Sequence, residues 1–332
     1  VKVPPVGLGI ASMAVSLGAA ADVAATAQDY VPDPERVIRW GYRTFHRAPD
    51  VTATDLATAA ARDALARAEC DVKDVDLVVL ASSDVPEFLH WDGSAALARA
   101  LGARDTPTLM LTQGCASGVT AFGDVAGAMA IRESVGTALF VTVGRVDETY
   151  RNRMQINNCL FSDGAAAAVL RRGHDRLRWL ATEQLTDGDF CEFFQVGHDS
   201  AAEQELGTLE RIQRHFQRDP RKLKGFIDQI NDRTACVIDR ACASAGVARE
   251  DLSRLIFLND NQQAFADLSR VLGIPRERTN AELARQYGHV AGADQLICLR
   301  EHVERGELAE GDLVALAGVS LGMHWFCTLI QV

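Results

Sequence analysis

The sequence is short of three things. Its eight cysteines, at 70, 115, 159, 191, 236, 242, 298 and 327, include no C-x-x-C pair, and no Cys/His spacing resembles a zinc site. A metal-ribbon or thioredoxin-type reading is thereby excluded. No run approaches the roughly 18 uninterrupted apolar residues of a membrane span. Positive charge is also scarce: 34 Lys and Arg stand against 45 Asp and Glu, a net charge of −11. Such an acidic surface argues against nucleic acid or an anionic membrane as the main partner. The N-terminal stretch VKVPPVGLGIASMAV, with Pro4 and Pro5, reads as an entering strand rather than a signal h-region. A reduced, cytoplasmic protein with mostly buried thiols is the resulting expectation.

What is present is a globular composition, 48% apolar and 24% charged, over 332 residues. That length is twice a typical domain. A weak internal repeat organises it. The amphipathic stretch 55–71 leads through an acidic turn to the apolar run 74–84, and 226–247 leads in the same way to 249–260. The buried-strand runs 138–144 and 313–320 are each followed by another strand, 164–172 or 324–332. Strands alternating with helices of this length predict an α/β fold of two duplicated halves, 1–172 and 173–332, joined at the charged segment RRGHDR. One basic stretch stands out on the acidic chain. Arg211, Arg214, Arg218, Arg221, Lys222 and Lys224 face a single Asp219, a charge pattern suited either to a carrier protein or CoA phosphate or to a solvated helix face.

One cysteine differs from the rest. TPTLMLTQGCASGVTAFGDVAGAMAI (106–131) reads as strand, tight turn and small-residue helix, with Cys115 at the turn. A thiol at a helix N-terminus meets the positive end of the dipole and free N–H groups, which favours the nucleophilic thiolate. Gly114, Ala116, Ser117 and Gly118 leave room around it for a thioester.

These residues resemble the nucleophile segment of thiolase-fold condensing enzymes of the ketoacyl-carrier-protein synthase III family. Other segments agree in order. RWGYRTFHRA (39–48) is similar to the family's T-G-I-x-x-R stretch, FSDGAAAAVL (161–170) to its F-G-D-G-A block, YGHVAGADQLICLRE (287–301) to its G-N-x-S-A-A-S helix entry, and GELAEGDLVALAGVSLGMHW (306–325) to its C-terminal motif. The resemblance implies a thiolase-like five-layered αβαβα fold and a homodimer. It also implies a cysteine acyl-enzyme fed by acyl-CoA or a phosphopantetheinyl carrier protein, with no permanently bound cofactor.

The chain departs from the family pattern at its base. The family places a histidine in an H-Q-A-N loop, but that loop here reads FLNDNQQAF (257–265), with Asn259, Asp260 and Asn261. The asparagine of G-N-x-S-A-A-S is His289, and five residues on stands Asp294. Decarboxylative condensation uses two neutral donors over the thioester carbonyl, and that pair looks broken. Cys115, His289 and Asp294 match plain acyl transfer instead. Asp260 is the rival carboxylate. The oxyanion hole is expected from the backbone N–H groups of Cys115 and Leu321. His198 borders the family's acceptor channel, or is a surface-loop histidine. Arg39 is retained beside the CoA site, while the adenine-stacking Trp is replaced by Glu35, which leaves room for a carrier protein. Arg145, Arg151 and Arg153 are candidates for a donor carboxylate, and Trp325 for a pocket wall. The same replacements resemble homologues that form esters in polyketide antibiotic pathways, such as the malonyl-transfer enzyme of cervimycin glycoside tailoring. That similarity favours a malonyl donor and a sugar hydroxyl acceptor. A condensing enzyme with an altered donor pair and a non-catalytic dimer partner are the alternatives.

Overall fold

The halves are visible first in how their helices begin. The expected helix at 55–71 forms over Ala53–Arg67, and a capping box starts it. The Thr52 hydroxyl accepts from Asp55 N, and the Asp55 carboxylate accepts from Thr52 N. Its buried face is mostly alanine, with Ala57, Ala60, Ala61 and Ala64 letting it lie close to the sheet. The C-terminal counterpart is longer than expected, Pro220–Ala245, because Asp219 caps it and Pro220 occupies its first turn. The basic stretch is therefore divided between this helix and Thr208–His215. Arg214 and Arg218 both pair with Glu210, and Lys224 pairs with Asp228.

The protein, described by a computed structural model, is defined over residues 7–83, 87–149, 151–155, 159–194 and 208–332. Its strands there are β1 Leu8–Leu17, β2 Ala19–Asp22, β3 Thr44–Arg47, β4 Leu77–Ser82, β5 Thr108–Leu111, β6 Thr137–Gly144, β7 Gly164–Arg172, β8 Arg178–Thr186, β9 Arg254–Ile256, β10 Leu313–Ser320 and β11 His324–Gln331. Apart from the β2–β3 ribbon they form one mixed sheet in the order β5-β4-β6-β7-β1-β8-β11-β10-β9. The order repeats about its centre. β4 lies parallel to β6, which is antiparallel to β7, and β9 lies parallel to β10, which is antiparallel to β11. β1 and β8 meet at the seam, Gly9 opposite Arg178. β4, β6, β7 and β10 are buried almost throughout, as strands covered on both faces must be.

Helices Ser117–Ile131 and Asp294–Glu304 lie between the two half-sheets. Ala53–Arg67 with Gly93–Leu101 covers the outside of one half, and Pro220–Ala245 covers the other. This is the layered, duplicated α/β architecture expected from the sequence. The stretch Gly114–Ile131, long and apolar enough by composition to cross a membrane, is this central helix and its leading turn.

The central layer is tight enough to dictate glycine. A Cβ on Gly118 would lie 1.8 Å from the carbonyl oxygen of Gly292. Gly118→Ala is thus expected to cost at least ~2 kcal/mol, read as a lowered urea midpoint, because backbone rather than a movable side chain blocks it.

The acidic turn and strand expected within 249–260 both form, but the strand is short. Arg249–Asp251 is a 3₁₀ turn and β9 spans only Arg254–Ile256. The chain leaves the sheet at Phe257 because a side chain takes over its pairing. Asn280 Oδ1 accepts from Phe257 N at 2.8 Å, and Asn280 Nδ2 donates to Phe257 O at 2.9 Å.

Candidate active site

Cys115 sits where β5 turns into the central helix. Gly114–Ala116 form a single 3₁₀ turn leading into Ser117–Ile131. The turn is held by Gly114 O, which accepts from Ser117 Oγ at 2.8 Å and Ser83 Oγ at 3.0 Å. Across from it, Ser320 Oγ donates to Gln113 O at 2.9 Å, and the Leu321 side chain packs on Gly114. The Leu321 side chain therefore lies on the nucleophile turn. Cys115 itself is 9% exposed.

His289 arrives from the other half. Gly288 precedes it with φ +63, and a Cβ there would lie 2.5 Å from Ser162 Oγ, so only glycine serves. The backbone of His289 is clamped on both sides: its N–H donates to Leu160 O, and its carbonyl accepts from Ser162 N, both at 2.8 Å. The Phe161 ring meets the imidazole edge-on at 4.9 Å between centroids. So placed, His289 Nε2 lies 3.3 Å from Cys115 Sγ, and Nδ1 lies 2.5 Å from Asp294 Oδ2. A spacing of five works because Ala291–Ala293 form a 3₁₀ turn before the helix begins at Asp294.

Asp294 is 0% exposed, yet its carboxylate is fully partnered. Oδ2 accepts from Asn259 N at 2.7 Å, while Oδ1 accepts from Val290 N at 2.7 Å and Asn259 Nδ2 at 3.2 Å. Burial alone would lower the His289 pKa, but charge interactions with Cys159, Asp294 and Cys115, in that order, and the hydrogen bond to Asp294 outweigh it and hold the ring well above its ordinary value. Asp260, the rival, instead accepts from the N–H and Nδ2 of Asn261, and burial pushes its carboxyl up to about 6. Cys159 packs against the same site with its Sγ 3.6 Å from Tyr42 Oη, and burial pushes its thiol up to about 12.

Other expected contacts lie elsewhere. Asn259 is buried and turned toward Asp294, not toward open space beside Cys115. Arg39 is exposed at the end of helix Pro34–Ile38. His198 falls outside the described residues. Arg153 is buried and spent on Asp163 and Glu148, so it is no free carboxylate receptor. Arg145 donates to Ala48 O and Pro49 O, while Arg151 lies over the Phe161 ring at 4.6 Å. Trp325 is a core residue, fully buried, donating to Ile230 O at 3.1 Å. Two supporting residues carried no sequence signal. Tyr42 donates to Asn259 O at 2.8 Å, and Asn280 Nδ2 donates to Asn259 Oδ1 at 2.8 Å.

Comparison with known proteins agrees with this architecture. Residues 242–332 match the family described as 3-oxoacyl-[acyl-carrier-protein (ACP)] synthase III C terminal. The chain is 30% identical over 301 residues to the β-ketoacyl-[acyl-carrier-protein] synthase III of Thermosynechococcus vestitus, covering 88% of each chain. It is 28% identical over 296 residues to that of Acaryochloris marina, covering 88% of this chain and 87% of the relative. Among solved structures, ChlB3, described as an acyltransferase, superposes with a TM-score of 0.88 at 22% identity over 98% of both chains. The 3-oxoacyl-(acyl carrier protein) synthase III of Pseudomonas aeruginosa PAO1 follows the same course, with a TM-score of 0.81 at 24% identity over 98% of both chains. A thiolase-like fold and a transferase-type enzyme are thereby established, and the chain belongs to the β-ketoacyl-[acyl-carrier-protein] synthase III family.

Proposed function

We propose that this enzyme transfers an acyl group through a Cys115 thioester to an acceptor hydroxyl, without decarboxylative condensation. One observation carries the reading: His289 bridges Cys115 Sγ and Asp294 Oδ2. With Nδ1–H committed to the carboxylate, His289 presents a bare Nε2 in the acyl-enzyme, once the leaving thiolate has taken the Nε2 proton. That atom can accept a proton but cannot donate to a thioester carbonyl. The nearby amide of Asn259 donates to Gly288 O and Asp294 Oδ1, so it offers no second donor either. A site lacking that donor pair has nothing to hold the enolate left by departing CO2.

The parts support a balanced cycle. Cys115 sulphur, as thiolate opposite imidazolium, attacks the donor carbonyl. The tetrahedral oxyanion rests on the N–H groups of Cys115 and Leu321. Collapse forms the acyl–Sγ bond and breaks the donor C–S bond, and the leaving thiolate takes the Nε2 proton. Neutral His289 then removes the proton of the acceptor hydroxyl as its oxygen attacks the thioester. Ester release restores thiolate and imidazolium. Residues 1–172 supply the nucleophile in this scheme, and residues 173–332 supply base and carboxylate. Acyl-CoA or an acyl carrier protein is the donor, malonyl the favoured acyl group, and a polyketide sugar the favoured acceptor. Homodimerisation is part of the proposal. β5 ends the sheet, and Phe88 and Leu89 are exposed.

Intact mass after incubation with malonyl-CoA tests the reading. The expected product is a Cys115 adduct that keeps its carboxyl group. Stoichiometric loss of CO2 would establish condensation chemistry instead. Absence of any adduct with malonyl-, acetyl- or propionyl-CoA, together with unchanged behaviour of Cys115→Ala, would favour a non-catalytic partner.

A further inference from the structure

We infer that Asn259 is a positioning residue, which holds the Asp294 carboxylate aimed at His289. The inference rests on the acyl-transfer reading of Cys115, His289 and Asp294. Its basis is a complete account of one buried amide. Asn259 Nδ2 donates to Gly288 O at 2.9 Å and Asp294 Oδ1 at 3.2 Å. Asn259 Oδ1 accepts from Asn280 Nδ2 at 2.8 Å and from Cys298 Sγ at 3.3 Å. Both donors and both lone pairs are used, so the amide has one orientation and cannot flip. The backbone N–H adds a third contact to this region, donating to Asp294 Oδ2 at 2.7 Å. The backbone carbonyl accepts from Tyr42 Oη, which ties the residue to the N-terminal half.

The consequence is electrostatic. Among the described residues no Lys or Arg contacts the Asp294 carboxylate, and oriented N–H dipoles and the imidazole offset its burial. Of the dipoles, only Asn259 supplies two. Gly288 O, the second acceptor of its amide, belongs to the residue that sets the His289 backbone. One side chain thereby fixes the carboxylate and the turn carrying the base. Asn259 acts through Asp294 and does not reach the reacting atoms.

The test reads the proton on the Cys115–His289 pair rather than turnover alone. Iodoacetamide alkylation of Cys115 is followed against pH in the full chain, with each adduct located by mass. Groups facing His289 are Cys115, Cys159, Asp260 and Asp294, and Cys298 and Tyr42 face Asp294. The series is repeated in Asp260→Asn to remove that carboxyl from the profile. Asn259→Leu keeps volume and the backbone N–H but loses the amide. It should move the alkylation midpoint to higher pH and lower the rate at pH 7 about tenfold or more. Asn280→Ala frees the Asn259 amide without touching Asp294, and should shift the midpoint in the same direction by less. It serves if Asn259→Leu does not fold. A lowered melting temperature with an unmoved profile in every folded variant would overturn the inference and leave Asn259 a packing residue. His289→Ala separates the two readings. If it shifts the profile while the asparagine variants do not, the inference alone fails. If it leaves the profile unmoved, the acyl-transfer assignment fails with it.

Discussion

Alanine at His289 should lower kcat by about a hundredfold to ten-thousandfold, the range expected when a positioned acid–base is removed. The loss should fall on both half-reactions. In the first, the leaving thiolate would find no imidazolium proton. In the second, the acceptor hydroxyl would keep its own. Single-turnover acylation of Cys115 and transfer from a preformed acyl-enzyme separate them, and both rates should drop. A variant that acylates normally and fails only in transfer would confine His289 to the second step. Unchanged kinetics in both would mean that the 3.3 Å contact between Nε2 and Cys115 Sγ is packing alone. The substitution leaves Asp294 buried opposite a void. Its three remaining hydrogen bonds, two from Asn259 and one from Val290 N, retain part of its stabilisation, so the variant should be less stable yet folded. Asn259→Leu removes none of the reacting groups and should cost far less than His289→Ala.

Much of this site was legible because its segments carry strong local chemistry. The strand–turn–helix around Cys115 is written in small residues, and the structure shows why: Gly118 meets Gly292 backbone to backbone, and Gly114 meets Leu321. The Gly288–His289 pair was legible for the same reason, since a glycine that must adopt φ +63 marks the turn that presents the next side chain. The pseudo-repeat was readable from alternation of apolar runs and helices, and it reappears as the mirrored strand order. The short β9 was not readable. Its residues are apolar enough for a longer strand, and the chain leaves the sheet only because Asn280, more than twenty residues away in sequence, binds Phe257. Long-range side-chain capture of this kind leaves no periodic trace. The partners of Asn259 were not legible for a related reason. A polar residue in a loop beside a catalytic cysteine suggests substrate contact, but its partners Asn280, Cys298 and Tyr42 lie on separate segments that only the fold assembles. The arginines illustrate the same limit. Arg153 is indistinguishable from its neighbours in sequence, yet its guanidinium is buried against Asp163.

Exchange of Asp294 for asparagine should be nearly as damaging as loss of the histidine, for a different reason. The amide would offer His289 Nδ1 either a donor or an acceptor, and an amide N–H facing the ring forces the imidazole proton onto Nε2. A neutral His289 of that tautomer cannot accept from an incoming hydroxyl, and losses of about ten-thousandfold accompany such a reversal in a nucleophile–His–Asp arrangement. Asp260→Asn should keep most of its activity, because that carboxylate bonds Asn261 rather than the ring. Stability gives an independent reading. The His289 pKa is raised in the folded protein: burial opposes the rise, but charge interactions with Cys159, Asp294 and Cys115 and the hydrogen bond to Asp294 outweigh it. The ion pair therefore contributes fully below the unfolded-state value of about 6.5 and is lost as pH rises through the elevated folded value. Urea midpoints of the native protein and Asp294→Asn should differ most below that value and converge as the medium becomes alkaline. A constant offset across pH would mean that the imidazole is neutral in the native protein. The 2.5 Å contact would then be a tautomer-setting hydrogen bond rather than an ion pair, and proton transfer to the leaving thiolate would need another source.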